Sequence, residues 1–293
     1  QYEKHHGFRG HLNGNGHIVS GIYLNVDREG QVLAGLIPVI GESGVVENIG
    51  VTNSYIHGYD NKHSMGCVGA LVGYCYDWPI PETHDGTGLL ATIRGCFSDK
   101  TVTVAGNYVG GILGATPRAI LIENCYATSV LETNSTGLKG CLTGNNWSGI
   151  IQSPLRNCYA ANDAKDPAVG KCFDTTVSTN VYGTVFSLSQ VRILSLKSMR
   201  GANAKQYMDG FDFDSVWYAC EDGTPVLRAF GTTSKYSNKS PFDKVQITFV
   251  TNGGNEVEPK RLSGQPWPVM VTSSQAGMCI RNWIANTRWM CSP

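Results

Sequence analysis

"ILIENCYATSVLE", Ile120–Glu132, sets Asn-Cys-Tyr between two apolar, β-branched runs, and the tripeptide returns in "LRNCYAAN" as Asn157-Cys158-Tyr159. A near copy, Gly95-Cys96-Phe97, lies in "TIRGCFSDKTVTV". The spacing from Cys96 to Cys125 is 29 residues and from Cys125 to Cys158 it is 33. Glycine-flanked apolar stubs alternate with these runs: "GLIPVIG" from Gly35, "GALVG" from Gly69, "GGILG" from Gly110 and "GCLTG" from Gly140. Within each longer run apolar and polar residues alternate, the period of a strand with one buried face. Ile122, Cys125 and Ala127 or Val130 do not fit one strict alternation, so a bend or bulge is expected near Asn124. Short strands that recur about every 30 residues, with glycine at the corners, predict an all-β fold, a parallel β-helix whose coils stack. Right-handed coiling is the default from strand twist. Equivalent positions then lie one above another. Cys96, Cys125 and Cys158 should form an interior column, with Phe97, Tyr126 and Tyr159 on the other face. Coils ~4.8 Å apart sit closer than the ~5.5–6 Å between Cα atoms of a disulfide, so the stacked cysteines should stay thiols.

The balance of the chain agrees. Its 35 glycines in 293 residues exceed the usual ~7%, and its charged fraction of 16% falls below the usual ~25%. Turns joining short strands explain both. Lysine plus arginine equal aspartate plus glutamate at 23 each, which leaves no electrostatic footprint for nucleic acid or an anionic membrane. No run reaches the ~18 apolar residues of a membrane helix. "FRGHLNGNGH" follows almost directly on Gln1, which suggests a mature or trimmed chain with its leader upstream. Helical periodicity is confined to Ser187–Met208, where Ser187 or Ser189 would cap and Val191, Leu194 and Met199 would share a face.

"FRGHLNGNGHIVSGIYL" (Phe8–Leu24), the G-x-L-x-G stubs and the I-x-N-C-Y strands resemble the GLUG-motif repeat family of bacterial surface proteins. "GFDFDSVWYACEDGTPVLRAF" (Gly210–Phe230) is similar to the segment that closes such repeats. The resemblance spans residues 1–231 and implies a β-helix on exported proteins, often beside adhesion or peptidase modules. Cys141 in "GCLTG" and the long insertion after Gly73 depart from the pattern. Residues 232–243 read as a polar linker. Residues 244–293 resemble the Listeria–Bacteroides repeat, of B-repeat type, through Thr248-Phe249, Asn252-Gly253-Gly254, Val257, Gly264, Pro268, Gly277 and Trp283. That resemblance implies a small β-grasp-like module, although Trp283-Ile284 replaces the usual Trp-Tyr.

The insertion "YCYDWPIPETHDGTG" concentrates Tyr74, Tyr76, Asp77, Trp78, Glu82, His84 and Asp85 in fifteen residues. Aromatic faces that stack on sugars, beside carboxylates that accept hydroxyl hydrogen bonds, make it the candidate ligand loop. The bland alternative is a loop pinned by Trp78 and its prolines. Glu82, His84 and Asp85 are too close in sequence for a preorganised metal site, and no metal or cofactor is expected. Asp212 and Asp214, at i and i+2, are the best carboxylate pair for glycoside hydrolysis, against a plain role in capping turns. "GNGH" (Gly14–His17) lacks the phosphate-loop pattern and reads as a tight turn with Asn15 or a glycine at positive φ. His5-His6 is open between tag residue, surface pair and metal contact. Cys279 and Cys291 are the pair for a disulfide in an oxidising compartment. No G-x-S-x-G or H-E-x-x-H is present. These residues point to a non-catalytic extracellular surface protein that binds glycans or host proteins. A polysaccharide-acting β-helix enzyme and a passive stalk are the alternatives.

Overall fold

The computed structural model describes residues 7–76, 89–146, 154–161, 169–172, 178–183, 191–237, 245–247, 249–251, 260–262 and 278–280. The chain is all-β apart from one short helix and two single 3-10 turns among the described residues. It divides into two compact units, Gln1–Asn238 and Lys239–Pro293.

In the first unit the chain returns again and again to three parallel sheets. The first sheet takes His11–Ser20, Gly44–Thr52, Ala91–Arg94 with Phe97–Ser98, Ile120–Glu123 with Tyr126–Ala127, Leu155–Ala160, Ser178–Gly183 and Arg192–Ile193. The second takes Tyr23–Arg28, Ser54–Asp60, Val102–Gly110 and Val130–Gly140, with Gly66–Gly69 paired along the far half of Val102–Gly110 and Val32–Ala34 paired with Gly66–Gly69. The third takes Ile37–Ile40, Val72–Cys75, Leu113–Thr116, Thr143–Asn146 and Val169–Cys172. Register shows the repeat directly, since Val46, Ile93, Ile122 and Leu155 pair in succession at steps of 47, 29 and 33 residues. The long first step contains the insertion after Tyr76.

Identical positions therefore stack, and the interior consists of apolar columns. Val46, Ile93, Ile122 and Leu155 form one; Ile56, Val104 and Leu131 form another; all are buried. Each such side chain contributes roughly 1.5–3 kcal/mol by leaving water. A strand cannot run straight past the corner of the first sheet. Asn48, Gly95, Asn124 and Asn157 turn there at φ of 52°, 60°, 50° and 50°. Asparagine and glycine tolerate this left-handed region where other residues are strained. The break at Asn124 allows Ile122 and Cys125 to face the same interior.

Cys96, Cys125 and Cys158 follow that corner, each fully buried with a free thiol. Their Sγ atoms approach carbonyls two residues back, on Arg94, Glu123 and Arg156, at 3.2, 3.2 and 3.1 Å. The neighbouring aromatics emerge on the opposite face. Phe97, Tyr126 and Tyr159 stack with ring centroids 5.0 and 5.1 Å apart and 4° between planes. The stack ends over Gly50, where a Cβ would lie 2.2 Å from the Phe97 ring.

The closing segment covers this aromatic face. Its helix is Gly201–Tyr207, and Trp217–Tyr218 pairs antiparallel with Val226–Leu227. Met199, Ala204, Met208, Phe211, Trp217 and Leu227 pack on the stack. The Tyr159 hydroxyl donates to Thr224 Oγ1 at 3.1 Å, and that of Tyr182 donates to the Asp209 carbonyl at 2.9 Å. The helix expected over Ser187–Met208 is shorter than its periodicity suggested. Arg192–Ile193 instead extends the first sheet beside Tyr182-Gly183, because an open strand edge offers its backbone a ladder. Residues 184–190, with Ser187 and Ser189, lie outside the described residues.

In the second unit Val245–Ile247 pairs antiparallel with Lys260–Leu262, and Phe249–Thr251 with Met278–Ile280.

Candidate binding surface

Strand alternation places Tyr55, His57 and Tyr59 on the outward face of the second sheet, while Ile56 points into the core. The neighbouring strand sets Tyr23, Asn25 and Asp27 beside them in register. Tyr23 is 72% exposed and stacks on Tyr55 at 5.7 Å with 24° between planes. His57 meets the Tyr59 ring edge-on at 4.9 Å. Across the sheet Ala105 pairs with both His57 and Glu132, so a small side chain separates the imidazole from a carboxylate.

A hydrogen-bonded chain fixes the polar groups. His57 Nε2 lies 2.7 Å from Asp27 Oδ1, and His57 Nδ1 lies 3.0 Å from Tyr55 Oη. A carboxylate only accepts, so Nε2 donates to Asp27; in the neutral ring Nδ1 then accepts from the Tyr55 hydroxyl. Burial pushes the Tyr59 phenol up, and the negative charges of Glu132 and Asp27 push it further. The surface is aromatic, acidic and held in place. Its signal in sequence was the alternation in "SYIHGYD" (Ser54–Asp60), with Tyr23 on the strand that pairs with it.

Behind this face, Asp60 ties down the turn that follows. Its Oδ1 accepts from the backbone N–H groups of Gly30, Lys62 and His63 at 3.2, 3.0 and 3.0 Å, and its Oδ2 from Met65 at 3.3 Å. Burial pushes the carboxyl up, but these four donors outweigh it and hold Asp60 below the usual range.

The insertion is described only at its root. Tyr74 is 4% exposed and packs with Cys67 and Ala115, so its ring is a packing element and not a displayed platform. Tyr76 joins that cluster from its edge, 5.9 Å from Tyr74, with the Arg118 guanidinium 5.7 Å over its ring. Asp77, Trp78, Glu82, His84 and Asp85 lie outside the described residues, as do His5, His6 and Cys291. Cys279 lies in Met278–Ile280, whose side chains are not described. Asp212 caps a turn: its Oδ1 accepts from the N–H groups of Asp214 and Ser215, both at 2.9 Å. Asn15 and Gly16 adopt φ of 49° and 77°, as a tight turn requires. Among the described residues no three His, Cys, Asp or Glu side chains group as metal ligands.

A second polar feature crosses the corner of the first sheet. Glu47, Arg94, Glu123 and Arg156 pair in register, so opposite charges alternate from strand to strand. Burial pushes the Glu47 carboxyl up, but Arg94 and His11 outweigh it and hold it below the usual range. A cleft of about 240 Å³ opens here, between Glu47, Asn48, Arg94 and Asn124 on one side and Val216 and Ala229 of the closing segment on the other. Arg94 and His11 already satisfy Glu47, so the cleft's charges serve the fold.

No protein-family model matches the chain. It is 41% identical over 69 residues to a protein of Evansella cellulosilytica provisionally named a Gly-rich membrane protein, covering 24% of this chain and 7% of that one. It is 36% identical over 108 residues to the Halomucin of Haloquadratum walsbyi, covering 36% of this chain and 1% of that one. The chain thus spans less than a tenth of the length of either relative. A solved structure from Bacteroides ovatus, provisionally described as an immunoglobulin A1 protease, aligns with a TM-score of 0.43 at 16% identity over 74% of this chain and 76% of that one. No helix among the described residues is long and apolar enough to cross a membrane.

Proposed function

We propose that this chain is part of an exported surface protein whose first unit is a right-handed parallel β-helix that displays a binding surface, with adhesion as its role and no catalysis. The observation that carries this reading is the outward face of the second sheet. There a rigid stack of coils holds Tyr23, Tyr55, His57 and Tyr59 at the surface beside carboxylates. Aromatic rings that a fold positions but does not bury serve contact with something else. The steps of 29 and 33 residues through three parallel sheets support the β-helix and the GLUG-type reading of residues 1–231. The B-repeat resemblance of residues 244–293 supports a place on the cell surface, and the names of the two relatives point the same way.

The test is to present the chain to arrays of neutral and acidic glycans and of extracellular matrix proteins. Saturable binding to members of either array is the expected result. Absence of binding on both would make the chain a spacer and end the adhesion reading.

A further inference from the structure

We propose that the face formed by Tyr23, Tyr55, His57, Tyr59 and Asp27 is a site for an uncharged oligosaccharide; the inference rests on the binding role proposed above and names its ligand. The argument begins with Tyr23. The strand Tyr23–Arg28 pairs on one side only among the described residues, so the aromatic stack ends at this ring and its outer face is open. An exposed ring face attracts the apolar C–H face of a pyranose. A sugar seated there brings its hydroxyls towards Asp27. That carboxylate is half-exposed and held by His57 through Oδ1 alone, which leaves Oδ2 without a partner among the described residues. His57 is itself held by Tyr55. The acceptor is therefore fixed before a ligand arrives, so little ordering is lost on binding. Tyr55 to Tyr59 spans about 13 Å along the strand, room for a short chain of sugars.

Charge decides the class of glycan. Asp27 and Glu132 line the face, and Lys62, in the turn after Ser54–Asp60, is paired with Glu29 at 3.1 Å. Arg28 is turned away to the Gln31 carbonyl at 2.6 Å. A uronic or sialic acid would meet the carboxylates of Asp27 and Glu132, and the Lys139 ammonium of the same sheet is turned to the Leu131 carbonyl at 3.4 Å. A neutral hexose chain meets acceptors for its hydroxyls and a ring for its apolar face.

The test is titration calorimetry of the whole chain with a neutral β-linked gluco-hexaose and with a hexauronate of equal length. Wild type should bind the neutral chain at least tenfold more tightly than the acidic one. Tyr23→Ala, at an exposed position, should weaken the neutral interaction by about tenfold. Asp27→Asn should weaken it several-fold, while Tyr207→Ala, at an exposed tyrosine on the helix, should leave it unchanged. Light scattering on wild type and Tyr23→Ala separates a sugar site from self-association through the same edge. Preference for the hexauronate, indifference to Tyr23→Ala, or loss of a dimer in place of loss of sugar binding each overturns the assignment. Any of these leaves the adhesion reading standing when the arrays show binding elsewhere. Failure of every array member defeats both.

Discussion

Replacing Asp60 tests how the fold holds its outward face. The side chain is fully buried and accepts four backbone N–H bonds, while its own N–H donates to Asn107 Oδ1 at 3.0 Å. Hydrogen bonds to a charged acceptor contribute about 1.5–3 kcal/mol each, against about 0.5–1.5 kcal/mol for neutral ones. Four bonds on one carboxylate do not add, because removing any one relaxes the others. Asp60→Asn keeps one oxygen for the Gly30, Lys62 and His63 donors, loses the charge and turns an amide N–H₂ towards Met65 N–H; about 2 kcal/mol should be lost. Asp60→Ala orphans all four donors, but Asn61, Lys62 and His63 are exposed and water recovers part of the loss, so about 3–4 kcal/mol is expected. Urea unfolding followed by near-ultraviolet circular dichroism of the buried tyrosine stack reads the first unit.

The pH dependence has a definite sign. Asp60 is held below its ordinary value, so its stabilisation is complete above the unfolded pKa of about 3.9 and is lost as pH falls through the lower folded pKa. Carboxylates common to both proteins cancel in the difference between wild type and Asp60→Asn. That gap should persist at about pH 5 and close below about pH 4. A gap under about 0.5 kcal/mol at neutral pH, within the usual range for an inconsequential surface change, would refute the reasoning. So would a gap as wide in strong acid as at neutrality.

Asn124 sits at φ 50°, so Asn124→Ala should cost about 1–2 kcal/mol in urea unfolding, whereas Asn124→Gly should change stability little. Equal losses from both would mean that the asparagine side chain, and not the backbone angle, is what matters. Among the described residues the seven buried cysteines, Cys67, Cys75, Cys96, Cys125, Cys141, Cys158 and Cys220, should resist a thiol reagent in the native protein and react together in urea, as read by peptide mass spectrometry. Burial pushes the Cys67 and Cys125 thiols up, which withholds the reactive thiolate; rapid native labelling of Cys125 would contradict its place in the interior.

Several of these features were legible in the residues alone. The spacing of Asn-Cys-Tyr determined that Cys96, Cys125 and Cys158 occupy equivalent places, since strands that repeat in sequence pair in register when stacked. The broken alternation around Asn124 located the corner, because a strict period of two cannot put Ile122 and Cys125 on one side without a bend. The turn at Gly14–His17 and the capping role of Asp212 followed from local chemistry in the same way. Tyr74 did not: its composition suggested display, but its exposure depends on Cys67 and Ala115, which arrive from other strands. The helix begins only at Gly201, since Arg192–Ile193 takes the open edge at Tyr182-Gly183.

The binding surface divides along the same line. Alternation in "SYIHGYD" determined that Tyr55, His57 and Tyr59 share a face, because side chains on a strand repeat every two residues. Whether that face is covered lay beyond any local pattern. The closing segment buries Tyr126 and Tyr159 on the first sheet, yet leaves Tyr23 open on the second. Both sheets carry aromatic columns. Burial is decided by which surface a segment about 50 to 100 residues away comes to lie upon, a property of packing between distant parts of the chain.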